Sequence, residues 1–216
     1  MHRPRPLLLL LSLLALHGCV PWTIRPISGG KGSDNSPTAT PAAYADSIWT
    51  SKLLPALQAS AVDARVLLDA LASSPTQALT QYGRKPSGGQ TYFVVSGRGR
   101  VLQVDSSSQS ALALVDIAPF DRRPDLSLQI GPVLRGVALR DATPAVNFTD
   151  FVNQVQFAEV GEELNKRALS TVLAPIDPPS LRGQIISFLG ALPAEPNAHP
   201  PLRDLVPVRL SVEGTR

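Results

Sequence analysis

Apolar positions recur at three- and four-residue spacing in the first third of the chain and near two-residue spacing after residue 90, so the pattern predicts helices first and a sheet afterwards. Tyr44, Ile48 and Trp49, then Leu53, Leu54 and Leu57, form one helical stripe that opens at Pro41, and Pro55 is expected to kink or end it. A second helical stretch runs from about Val62 to Ala72. A third is bracketed by Ser74 as N-cap, Pro75 at the first helical position and Gly83 at the stop. Together they predict a helical N-terminal subdomain over residues 44–84.

After the turn-rich K-P-S-G-G at Lys85 to Gly89, Thr91 to Asp105 reads as one long strand. Gly97 and Gly99 share a face with Phe93, Val95 and Val101, which predicts a bent or bulged strand closing a small barrel. Ala111 to Ile117 follows, and Leu126, Leu128 and Ile130 then alternate with Ser127 and Gln129 up to Gly131-Pro132. Val133 to Leu139 is a candidate extension of the sheet. Roughly Thr149 to Leu173 sets Val160, Leu164, Ala168 and Val172 four residues apart, a helix with a bend expected near Gly161. Gly183 to Leu189 and Val206 to Val212 supply two more strands, and Pro207 marks the last as an edge. Strands, one helix, then two strands is the order of an OB-like barrel, with its helix between strands 3 and 4, over residues 90–214. The expected class is therefore α+β and β-rich, with an open α+β sheet as the alternative.

The N-terminus adds an address. His2, Arg3 and Arg5 precede an apolar run from Leu7 to Leu16 that is too short to span a bilayer, the layout of a secretory signal over residues 1–18. Leu16, Gly18 and Cys19 resemble a lipobox, from which His17 departs. Cys19 is the single cysteine of 216 residues, so no disulfide framework exists and lipid is its expected fate. Residues 19–43, with no large apolar residue from Ser28 to Ala43, read as a tether. The expected location is the envelope, facing the periplasm or cell surface.

Charge narrows the partners. The chain holds 20 basic and 17 acidic residues, and Arg3 and Arg5 leave with the signal, so the mature chain is 18 − 17, or +1. No run of like charge occurs, and no nucleic-acid partner is expected. His199, in a proline-rich loop, is the one histidine beyond the signal. With Cys19 given to lipid, no zinc set, cysteine nucleophile or Ser/His/Asp arrangement is expected, nor any cofactor. G-R-G-R at Gly97 to Arg100 lacks the helix that a phosphate loop requires. A carboxylate pair drawn from Asp141, Asp150 and Glu159 leaves open a weak hydrolase acting on envelope glycans. The polar set Arg135, Arg140, Asp141, Asn153 and Gln154 combines guanidinium forks with amides, groups suited to hydroxyl or carboxylate recognition. The other reading makes Arg140 and Asp141 partners of buried backbone and puts Asn153 and Gln154 on a helix face.

Several motifs carry a family resemblance: L-Q-I-G-P-V-L-R-G-V-A-L-R-D from Leu128 to Asp141, N-F-T-D-F-V-N-Q-V from Asn147 to Val155, and L-N at Leu164 and Asn165. Y-A-D-S-I-W at Tyr44, Y-G-R at Tyr82 and G-Q-I-I-S-F-L-G-A at Gly183 complete the set. In this order they resemble the predicted periplasmic lipoproteins of domain of unknown function 2291. The resemblance implies no established activity. It implies an accessory role beside an ABC-type sugar uptake system, with a solute-binding protein or permease as partner and the membrane reached through lipid on Cys19. Val137 stands where relatives more often carry a hydroxylated residue.

Overall fold

The computed structural model describes residues 40–86, 89–195 and 199–213. Cys19, the signal segment and the expected tether up to residue 39 lie outside the described residues. Helix α1 (Pro41–Ile48) begins inside the stretch expected to be tether, because Thr40 accepts a hydrogen bond from the Ala43 N–H and Pro41 supplies a preset first turn. It runs into a π-helical turn, Trp49–Leu53, and then into α2 (Leu54–Ser60). Pro55 does not end the run. It lies in the first turn of α2, where an N–H is dispensable, and the wider turn before it makes room for its ring.

Strand β1 (Val62–Asp63) takes the first two residues of the expected second helix, and α3 (Ala64–Ser73) starts after Asp63, whose carboxylate accepts from the N–H groups of Arg65 and Val66. Helix α4 (Pro75–Tyr82) lies between Ser74 and Gly83 as the sequence indicates. Buried Trp49, Leu53, Leu57 and Leu67 belong to the same apolar cluster as Val95, Leu126, Leu164 and Val206, so these helices and the sheet share one core.

The sheet is β2 (Tyr92–Asp105), β3 (Leu112–Ile117), β4 (Leu126–Gln129), β5 (Ile185–Pro193) and β6 (Leu202–Val212). The order β2-β3-β4-β6-β5 closes through a β2–β5 ladder, and β4 runs parallel to β6 while the other barrel pairs are antiparallel. β1 adds in parallel beside the N-terminal half of β2. This is a closed five-stranded, OB-like barrel with helices around it, an α+β protein. Its tight coiling needs Gly99: a Cβ there would lie 2.4 Å from a Val115 methyl.

Three sequence expectations are corrected. Pro207 does not mark an edge, because β6 runs between β4 and β5; the proline pairs with Gly190 where the β5–β6 register slips. Val133 to Leu139 forms no strand, since Gly136 has φ +85° and turns the chain into the short helix α5 (Ala138–Asp141). The long helix starts later than residue 149: a 3-10 turn at Phe148–Asp150 precedes α6 (Gln154–Ala168), which opens where Asn153 accepts from the Gln156 N–H at 2.9 Å. A π-helical turn, Leu169–Leu173, then shifts the apolar stripe by one residue, so Leu173 rather than Val172 is buried.

Candidate functional site

Two buried amides shape the loop that joins β4 to α5. Gln129, 3% exposed, ends β4; its Nε2 donates to the carbonyls of Arg135 (3.2 Å) and Asp204 (3.0 Å), and its Oε1 accepts from the Arg135 N–H (2.7 Å). Asn165, 7% exposed on α6, donates from Nδ2 to the carbonyls of Gly136 (2.8 Å) and Leu134 (3.4 Å). The loop is thereby held from the barrel on one side and the helix on the other. Asn165 Oδ1 is buried and finds no hydrogen-bond donor among the described residues.

Between this loop and α6 lies a groove of about 540 Å³. Val133, Leu134 and Val137 line it from the loop, Ala158 and Leu169 from the helix side, with Arg135, Glu162 and Lys166 as its charged members. Glu163 accepts from Lys166 at 2.7 Å and raises the lysine's pKa, so this cation stays charged. The surroundings can take an apolar body with a polar edge.

OB folds commonly bind ligands on the outer face of their second and third strands, here β3 and β4. On β4 that face is occupied. The outward residues are Ser127 and Gln129, both buried; Ser127 Oγ accepts from the Asp204 N–H at 2.9 Å, and Gln129 holds the loop.

The residues singled out by sequence separate in space. Arg140 and Asp141 form a bidentate ion pair at 2.7 and 2.9 Å with side chains only 11% and 12% exposed. The third guanidinium nitrogen donates to the Phe157 carbonyl at 3.2 Å, the guanidinium carbon sits 3.9 Å from the Phe157 ring centroid, and Arg84 donates to the Asp141 carbonyl. The pair spends its polar atoms inside the protein and fastens α5 to α6. Burial and the nearby Asp141 carboxylate raise the Tyr92 pKa. Asn153 caps α6, Gln154 is exposed in its first turn, and of the set Arg135 alone lines the groove. His199 is exposed. Asp150 accepts from the Tyr44 hydroxyl at 3.1 Å, and burial together with this carboxylate pushes the Tyr44 pKa up to about 12.

Gln129 and Asn165 escaped attention as site residues. Their signal was present, since both lie in motifs that carry the family resemblance, and Asn165 follows Leu164 on the apolar side of a helix. Among the described residues no group of three or more His, Cys, Asp or Glu converges as a metal site, and no helix is long and apolar enough to cross a membrane.

This architecture defines an α+β protein built on an OB-type barrel. A crystal structure of an OB-fold protein from Thermotoga maritima has the same fold at 20% sequence identity, with a TM-score of 0.68 over 82% of this chain and 100% of that one. The chain belongs to the family of predicted periplasmic lipoproteins (DUF2291), whose model matches residues 9–211. It is an exported protein, lipid-anchored to the cell envelope. No curated protein matches the sequence.

Proposed function

We infer that this lipoprotein is a non-catalytic binding module, held at the membrane by lipid on Cys19, whose contact surface is the groove between the Pro132–Val137 loop and α6. One observation carries the reading: the β4 part of the usual OB ligand face is sealed by Ser127 and Gln129, while the open, largely apolar groove lies beside it under the loop that Gln129 braces. Arg135 is the polar contact that the loop gives this surface, facing Glu162 and Lys166 from the helix. Arg140, Asp141 and Asn153 serve as its scaffold.

The buried and half-buried carboxylates support a non-catalytic role, being engaged already. Asp116 accepts from the backbone of Arg122, Asp125 from that of Ile117, and Asp141 from Arg140. The partner in this reading is a solute-binding protein or permease of an ABC-type sugar uptake system. A photo-crosslinker at Val133 in the full lipidated chain, activated in the native envelope, is expected to capture such a component, and R135A to weaken the capture. Release of sugars from envelope glycans by the purified protein would overturn the reading in favour of a hydrolase.

A further inference from the structure

The three most exposed large apolar side chains among the described residues fall within eight residues of one another: Phe148, Val152 and Val155, at 53%, 64% and 65% exposure. The next, Val66 on α3, is at 48%. From Asn147 to Phe157 the sequence is N-F-T-D-F-V-N-Q-V-Q-F, eleven residues with one charge, Asp150. That charge is turned to the Tyr44 hydroxyl. The rest is apolar side chains, neutral amides and the hydroxyl of Thr149, a mixture that suits the boundary between lipid headgroups and acyl chains.

The segment is also packed against its neighbours. Phe148 meets Phe157 edge-on at 5.4 Å, Phe151 packs against Phe157 at 5.6 Å and against Tyr44 at 4.9 Å, and Arg140 lies over the Phe157 ring. Tyr44 belongs to α1, which begins at Pro41, so the chain coming from Cys19 joins the domain about one helical turn from the residue that touches this segment. Val20 to Ala39 separate the lipid from that point, a covalent reach of at most roughly 70 Å.

We propose that Phe148, Val152 and Val155 form a membrane-contact patch, resting on the same bilayer in which the lipid of Cys19 is embedded. Three apolar side chains alone bind a bilayer weakly. The anchor makes the second contact intramolecular, and a high effective concentration converts a weak affinity into steady occupancy. Because the patch carries no basic residue, its docking is independent of anionic lipid and of salt. The proposal rests on the lipid anchor of the preceding reading and not on its groove.

The test uses the full lipidated chain in vesicles of zwitterionic phosphatidylcholine. V155C and, as a control, V66C each introduce a single thiol for an environment-sensitive fluorophore, Cys19 being occupied by lipid. A nitroxide carried on lipid tails is expected to quench the V155C probe several-fold more than the V66C probe, while aqueous iodide reaches the V66C probe better. Adding V152S is expected to cut the difference without changing the thermal midpoint, since Val152 is exposed, and adding F148S as well to abolish it with a small fall in the midpoint, since Phe148 also meets the Phe157 ring. Equal quenching of the two probes by the lipid nitroxide overturns the proposal. So does protection of V155C from iodide in detergent without vesicles, which would assign the patch to a second copy of the chain. Flotation with the vesicles reports the anchor and quenching reports the patch, so the two can fail separately.

Discussion

Gln129 and Arg135 exchange two hydrogen bonds, the Arg135 N–H donating to Gln129 Oε1 and the Arg135 carbonyl accepting from Gln129 Nε2. A side-chain amide thus stands in for a neighbouring peptide group, and a loop that forms no ladder has the pairing of one. Gln129→Glu keeps the acceptor and deletes both donations, leaving the carbonyls of Arg135 and Asp204 against a carboxylate. The expected loss is about 1–3 kcal/mol at pH 7. It shrinks as the pH falls and the new carboxyl gains a proton, and urea unfolding at several pH values reads both effects.

The Arg140–Asp141 pair is nearly buried, so breaking it on one side strands a charge. Arg140→Met is expected to cost about 3–5 kcal/mol, and the double change R140M/D141L less than the single one, because no unpaired carboxylate remains. Comparing the two unfolding midpoints decides it. Equal or greater loss in the double variant would show that the fork holds α6 by its contact with Phe157 rather than by its charge partner.

Gly136 and Gly190 need to be glycine for different reasons. Gly136 has φ +85° with open space where a Cβ would stand, so Gly136→Ala carries a conformational penalty alone, about 1–2 kcal/mol. At Gly190 a Cβ would lie 2.4 Å from both the Leu205 Cδ2 and the Val206 carbonyl oxygen, so Gly190→Ala forces β5 and β6 apart. The Gly190 variant is expected to be much the less stable, or not to fold, while the Gly136 variant folds with a lower midpoint.

Burial raises the Asp125 pKa above its ordinary 3.8, overriding the Ile117 N–H that favours the charged form, with Asp116 and Asp121 adding repulsion. A carboxyl whose folded pKa is raised contributes stability below the unfolded value and loses it as pH rises through the folded one. Asp125→Asn removes that dependence. Relative to the natural protein, the variant should therefore gain stability over the window that opens at the ordinary carboxylate value, about pH 4, and extends upward from it. A difference in midpoint that stays constant across that window would contradict the assignment.

The barrel was legible because strands and helix announce themselves by period: alternation on either side of a four-residue stripe put the helix between the third and fourth barrel strands. The π-helical turns were not, since a single extra residue leaves composition unchanged while moving burial from Val172 to Leu173. Gln129 alternates with Leu128 and Ile130 as a solvent-facing residue would, and it is buried because the chain folds back over it six residues later. In the same way Arg140 and Asp141 looked like groups offered to a ligand. Adjacency in sequence said nothing of two side chains closing on each other, with the guanidinium laid on the Phe157 ring.

Helix α6 carries Val155 in its first turn and Lys166 in its last, with no break at the buried Gly161. Eleven residues of rise place them about 16 Å apart along one axis. The helix is thus a ruler as well as a wall: whatever surface meets Val155, the groove stands a fixed distance from it. Lengthening or trimming residues 20–39 changes how far the domain can wander, and leaves that height untouched.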